Sequence, residues 1–279
     1  NFVTIPNTDY IETLDGNNKI ITIKNFDINS MLSSGSNQVL NLALFNTISE
    51  NTTIKNLTIN YYHLENIVVD EEKVSEVNVA GLFIENSGII YNCEITALNM
   101  NNAKTVVSNE LGKQFDAENV GMNRNYPTAK YSDGNGFRVY FDSENIGKLK
   151  KDQTTVTVGG LGITNTSAGR ITNSRVGSNS FTKVYRYKND QNNYETKSIK
   201  LSCSNLAILA QADMAGFIVN NSGVISASVV NNILINNVAI AGTNLKTAGF
   251  VIQNNFGAYI TGCYAKGYKK ATDANTVYY

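Results

Sequence analysis

A single histidine, His63, in the run Tyr61-Tyr62-His63-Leu64-Glu65, is the whole imidazole content of this 279-residue chain. Nucleophilic catalysis of the triad kind needs a nucleophile, a base and a group that orients the base. No such set accompanies His63, which reads as a solvated loop residue. Zinc chemistry needs clustered thiolates or imidazoles at ligand spacing. The chain has neither a His-Glu-x-x-His segment nor a Cys-x-x-Cys pair. Gly160-Leu161-Gly162 opens like a dinucleotide fingerprint but lacks the third glycine and a following helix, and there is no P-loop. No cofactor and no metal site are expected.

Paired carboxylates are the enzymatic chemistry that remains, because glycosidic cleavage uses two acids flanking the bond. Acids are sparse on the strand-like segments, where Glu85 and Glu94 stand alone. Asp116, Glu118, Asp133, Asp142 and Glu144 fall together in one long insertion. Solvated loop acids are the reading adopted. A catalytic pair drawn from Asp133, Asp142 or their neighbours is the alternative, and it would make the chain a polysaccharide-degrading β-helix. Asp70-Glu71-Glu72 reads as a solvated turn, with a calcium ion on this or the Asp133 loop as the lesser alternative.

The elements that would position any such site come from a repeated unit. Ala80-Gly81-Leu82-Phe83-Ile84-Glu85-Asn86-Ser87-Gly88-Ile89-Ile90-Tyr91-Asn92-Cys93-Glu94-Ile95 returns in altered form at 159–176, 215–226 and 248–263. Each copy sets a small pair before a short apolar run, then an Asn/Gly turn, then a run alternating apolar with polar. These runs are too short for helices and rich in Ile and Val, so each copy is two strands joined by a corner. Weaker copies precede them at Leu42–Ile59, and Leu14–Ile23 looks like an opening rung.

A recurring strand-turn-strand unit buries its apolar face by stacking on its neighbours. The expected fold is therefore all-β, a parallel β-helix or β-solenoid with inserted loops and a protruding β-hairpin on one edge. It spans 1–279 as a single domain. A start inside Phe2-Val3-Thr4-Ile5 and an end just after a repeat imply a segment of a longer protein. The abundant asparagines are expected to stack as amide ladders.

Composition narrows the class further. Basic and acidic residues balance at 23 each, which gives no global case for nucleic acid or an anionic membrane. No apolar run reaches the roughly 18 to 20 residues of a membrane span. Of three cysteines, Cys93 and Cys263 fall at nearly equivalent places in units that other copies separate. That is too far for a disulfide, so they are expected to be free thiols.

Long segments interrupt the units at one relative place: 61–76, 99–153 and 177–197. Loops inserted at equivalent positions of stacked units emerge along one edge, a common home for binding residues. Phe181 to Lys197 alternates around Asn189-Asp190-Gln191-Asn192-Asn193 and predicts the hairpin. The candidate ligand-binding residues are Tyr126, Tyr131, Phe137, Tyr140, Tyr185, Arg186, Tyr187 and Tyr194, since aromatics with a polar tip give large contact area at small entropy cost. The structural alternative is that these aromatics pack the insertions against the body.

The repeat resembles the GLUG motif family. Ala80-Gly81-Leu82-Phe83, Gly159-Gly160-Leu161-Gly162, Ala215-Gly216-Phe217-Ile218 and Ala248-Gly249-Phe250-Val251 match its Gly-Leu core. Asn86 to Ile95 matches its Asn-x-Gly-x-Ile-x-Asn-Cys continuation. The long insertions, and Phe83-Ile84-Glu85-Asn86 in place of Gly-x-x-Asn, depart from the pattern. The resemblance implies a β-solenoid region of a bacterial adhesin, or the amino-terminal region of an immunoglobulin A peptidase beside a separate catalytic domain. It carries no catalytic residue onto this chain. The expectation is a non-catalytic adhesive or receptor-binding module, or a rigid spacer, of a secreted or cell-surface bacterial protein, with a host-surface protein or glycan as partner.

Overall fold

The computed structural model describes residues 2–62, 64–70, 72–98, 136–140, 154–177, 180–188, 191–202, 206–231, 233–237, 244–266 and 276–278. These form an all-β structure of largely parallel sheets, with one short helix at Ile28–Met31. Five successive repeats visit four sheets in the same order.

The first sheet stacks Gln38–Leu42, Val74–Ala80, Thr155–Gly159, Asp213–Ala215 and Thr247–Ala248. A tight corner leads into the second, made of Phe45–Ile48, Phe83–Asn86, Gly162–Asn165, Ile218–Asn221 and Val251–Asn254. The third is the widest. Thr13–Thr22 pairs with Thr53–Asn60, which continues into two half-strands per repeat: Ile89–Tyr91 with Glu94–Thr96, Arg170–Thr172 with Arg175–Val176, Val224–Ser226 with Val229–Asn231, and Tyr259–Thr261 with Tyr264–Lys266. The fourth holds Ile67–Val68, Gly136–Tyr140, Leu206–Ala210 and Ile233–Asn237, joined by an antiparallel Thr276–Tyr278.

Register is kept because like residues stack on like. Ile54, Ile90, Ile171 and Ile225 form one inward column, each 0% exposed. Ile59, Ile95, Val176 and Val230 form a second, also buried. A one-residue slip would turn these columns to solvent, so burial on one face specifies the pairing. Gly81, Gly160 and Gly216 stand at the corner between the first two sheets. A Cβ on Gly160 would meet the carbonyl oxygen of Gly216 and the side chain of Val176, so glycine permits the close approach of successive corners.

Asparagine amides run along the stack as expected. Asn86 Nδ2 donates to Asn165 Oδ1 at 2.8 Å, Asn165 to Asn221 at 2.8 Å and Asn221 to Asn254 at 2.7 Å. A second ladder joins Asn173 to Asn92 at 3.3 Å and Asn92 to Asn56 at 2.9 Å. Its three members hold φ of 50°, 52° and 53°, the left-handed region that Asn tolerates best after Gly.

Cys93 and Cys263 are free, and the residues between them in the stack are Ser174 and Ser228. The Cys93 N–H donates to Ser174 Oγ at 3.2 Å, Ser174 N–H to Ser228 Oγ at 3.1 Å and Ser228 N–H to Cys263 Sγ at 3.4 Å.

Candidate functional site

Each of the first three repeats carries extra chain between its third- and fourth-sheet strands, while the stretch 141–153 follows the fourth-sheet strand of repeat II. Repeat I goes from Thr53–Asn60 to Ile67–Val68, repeat II from Glu94–Thr96 to Gly136–Tyr140, and repeat III from Arg175–Val176 through a hairpin to Leu206–Ala210. In repeat IV a single residue separates Val229–Asn231 from Ile233–Asn237. Since Ile67–Val68, Gly136–Tyr140 and Leu206–Ala210 are neighbours in one sheet, the points where the chain rejoins the body lie side by side. The sequence had drawn the insertions too long: 67–68, 74–76 and 136–140 belong to the body's own sheets.

The hairpin pairs Ser180–Lys188 with Tyr194–Ser202, a few residues beyond the expected end. It forms a sheet of its own, joined to no other strand among the described residues. Tyr185 lies opposite Lys197, Arg186 opposite Thr196, Tyr187 opposite Glu195 and Lys188 opposite Tyr194. The two-residue period puts positions 185 and 187 on one face of the ribbon and 186 on the other. Tyr194 is exposed, as are its neighbours at the tip from 191 to 196.

Phe137 is a core residue. Alternation along Gly136–Tyr140 directs Phe137 and Val139 inward, where both are buried. The Phe137 ring lies 4.7 Å from that of Tyr61, continuing an aromatic file through Phe26 to Phe2. Tyr61 donates its hydroxyl to the Gly81 carbonyl at 2.8 Å, and burial pushes its phenol well above the usual range. Tyr140 ends the same strand opposite Val68. Tyr126, Tyr131, His63, Glu71 and the acids Asp116, Glu118, Asp133, Asp142 and Glu144 lie outside the described residues.

A groove that the sequence did not reveal follows the sharp corner between the first and second sheets. It encloses about 400 Å³. One wall carries Glu76, Asn78, Thr157 and Asp213 from the first sheet; the other carries Ile84, Ile163, Val219 and Ile252 from the second. Ala80 and Ala215, both fully buried, pack beneath the aliphatic wall. Successive residues of a strand point to opposite faces, so the outward members of two sheets become neighbours only once the corner is folded. Period-two patterning marks these residues as outward-facing but not as facing each other.

The groove's carboxylates are engaged structurally. Glu76 Oε1 accepts from Asn78 Nδ2 at 2.7 Å, and Asp213 Oδ1 accepts from the Lys246 N–H at 2.8 Å. They sit on strands two steps apart in the ladder and two residues out of register, which separates their backbones by roughly 12 Å at ordinary strand spacing. Asp70 holds its own turn, accepting from the Glu72 N–H at 3.1 Å and pairing with Lys73 at 3.1 Å. Among the described residues no three His, Cys, Asp or Glu side chains gather as a metal site, and no helix is long and apolar enough to cross a membrane.

No family model, curated protein or solved structure matches this chain.

Proposed function

We propose that the chain is a β-solenoid of the GLUG-repeat kind that acts as a non-catalytic adhesive or receptor-binding module of a secreted or surface-exposed bacterial protein. The observation that carries this reading is the shared exit corner. Three adjacent repeats release their extra chain at one place, so a rigid stack presents one composite edge that includes the tyrosine- and lysine-bearing hairpin. Binding residues carried on excursions from a rigid scaffold are the common arrangement. The partner is a host-surface protein or glycan contacted by Tyr185, Arg186, Tyr187 and Tyr194.

The test is retention of the labelled chain on an array of glycans and extracellular host proteins, beside two variants. One replaces 180–202 by a short linker; the other, Thr164→Arg, obstructs the groove, whose lining includes Thr164 beside Ile163. Specific retention lost only in the hairpin deletion supports the reading. Loss only in Thr164→Arg moves the site to the groove, and retention by none of the three leaves a rigid spacer.

A further inference from the structure

The hairpin has two chemically different faces. Pairing of Ser180–Lys188 with Tyr194–Ser202 sets residues of like parity opposite one another, and successive residues of a strand belong to opposite faces. The odd-numbered face carries the pair Phe181 and Leu201, then Ile199, Tyr185 and Tyr187. On the even-numbered face Lys200 stands opposite Thr182, Arg186 opposite Thr196 and Lys188 opposite Tyr194. Each cation there lies across the ribbon from a hydroxyl-bearing residue, and no acid shares the face. Tyr194 is 61% exposed, and Thr196 on the same face is exposed with it.

Charge is concentrated in this ribbon. The chain as a whole is neutral, yet 180–202 hold Lys183, Arg186, Lys188, Lys197 and Lys200 against Asp190 and Glu195. Glu195 belongs to the odd face, next along it from Lys197, so the uncompensated charge falls on the even face. A free two-stranded ribbon is marginal in water. Its odd face is the one with apolar surface to gain from packing, which leaves the even face to a ligand.

Arg186 and Lys188 stand two residues apart, roughly 7 Å along the ribbon, and Lys200, level with residue 182, lies roughly 14 Å from Arg186 in the other direction. A single small anion cannot span that length, whereas a chain bearing anions at intervals can. The same rungs carry Thr182, Thr196 and Ser198, whose hydroxyls both donate to and accept from uncharged hydroxyls between a polymer's charges. Single-stranded nucleic acid is held by aromatic platforms set among the cations, and Tyr185 and Tyr187 belong to the opposite face.

We infer that the even face of the hairpin, at Arg186, Lys188 and Lys200, takes an acidic glycan, a linear polysaccharide bearing sulfate or carboxylate groups. This rests on the reading of the hairpin as the binding element and narrows its partner to one chemistry.

Surface plasmon resonance of the full chain on immobilised heparin, hyaluronate and dextran tests it. Wild type should bind heparin or hyaluronate, pass over uncharged dextran and lose affinity as salt rises. Arg186→Glu and Lys200→Glu should each weaken binding about tenfold, while Lys183→Glu, the same change of charge on the odd face, should weaken it less than about threefold. Equal losses from all three overturn the inference. So does wild type that ignores both acidic glycans, binds dextran equally well, or prefers single-stranded DNA or phosphatidylserine vesicles. If the hairpin deletion loses a protein or neutral glycan on the array while the three reversals change nothing, the acidic ligand is refuted and the binding module stands; a wild type that retains nothing refutes both. Acetylation of wild type requires no variant to fold: heparin should protect Lys188 and Lys200 and leave Lys183 reactive, and equal protection of the three counts against the face.

Discussion

Asn86 and Asn165 stand 79 residues apart in sequence, yet the Nδ2 of the first donates to the Oδ1 of the second at 2.8 Å in a fully buried pair. The three buried amides Asn86, Asn165 and Asn221 each give one proton to the next repeat and one to a nearby carbonyl, as Asn86 does to Gly88 at 3.2 Å and Asn221 to Gly223 at 3.3 Å. A buried amide left unpaired is costly, so the ladder fixes which repeat follows which.

Asn165→Ala removes the middle rung and takes a partner from both Asn86 and Asn221. It should destabilise by about 2 to 4 kcal/mol in guanidinium unfolding. Asn254→Ala, at the exposed end of the same ladder, should cost less than about 1 kcal/mol. Equal losses would show that burial of the rung contributes nothing.

Gly160→Ala places a methyl against the Gly216 carbonyl and Val176. Backbone cannot rotate away as a side chain can, so a loss of about 3 kcal/mol or more is expected. Gly35→Ala, with nothing within 4 Å of its added carbon, should be neutral. Thermal melting of the two variants makes the comparison, and an unchanged midpoint for Gly160→Ala would mean that the corners can separate freely.

Burial pushes the Cys93 thiol up to about 12, so the reactive thiolate is scarce near pH 8. Iodoacetamide should label the half-buried Cys263 in the native chain and reach Cys93 only on unfolding, which peptide mass spectrometry can follow. A thiol raised in the folded state stabilises below its unfolded value of roughly 8.5, and that contribution is lost as pH rises toward 12. Native labelling of Cys93 at the rate of Cys263 would contradict this picture.

Asp15 is held below the usual carboxylate range by the Asn17 N–H at 2.9 Å, then by the Asn56 amide at 3.0 Å, with Lys55 3.6 Å away. A lowered carboxylate stabilises above its unfolded value of about 3.9 and loses that contribution as pH falls through the folded value. Below about pH 4, amides of Thr13–Thr22 should exchange faster while those of Ile89–Tyr91 hold. Asp15→Asn should abolish the difference between neutral and acid pH. Persistence of that difference in the variant would assign it to another group.

Much of the fold was legible because stacking makes each repeat solve the same packing problem. Glycine at 81, 160 and 216, Asn at 86, 165 and 221, and Ile at 90, 171 and 225 answer identical surroundings, so the column appears in the sequence as a period. The candidate site was less legible. Phe137 reads as a candidate binding aromatic of the long insertion, with packing against the body as the alternative, because it is far from the repeated motif; its strand joins the fourth sheet and its ring fills the core beside Tyr61. Short strands without the Ala-Gly and Asn-Gly signatures, such as Ile67–Val68, offer little local pattern to mark them.

The sequence by itself determined the strand units, their order and the residues that stack, since these follow from two-residue alternation, turn chemistry and repetition. Tertiary structure alone decided which outward residues meet. It set Asn78, Thr157 and Asp213 across a groove from Ile84, Ile163 and Val219, and brought the rejoining strands Ile67–Val68, Gly136–Tyr140 and Leu206–Ala210 side by side. Such proximities arise from corners and stacking between distant segments, and local propensity carries no record of the angle at which two strands turn toward each other.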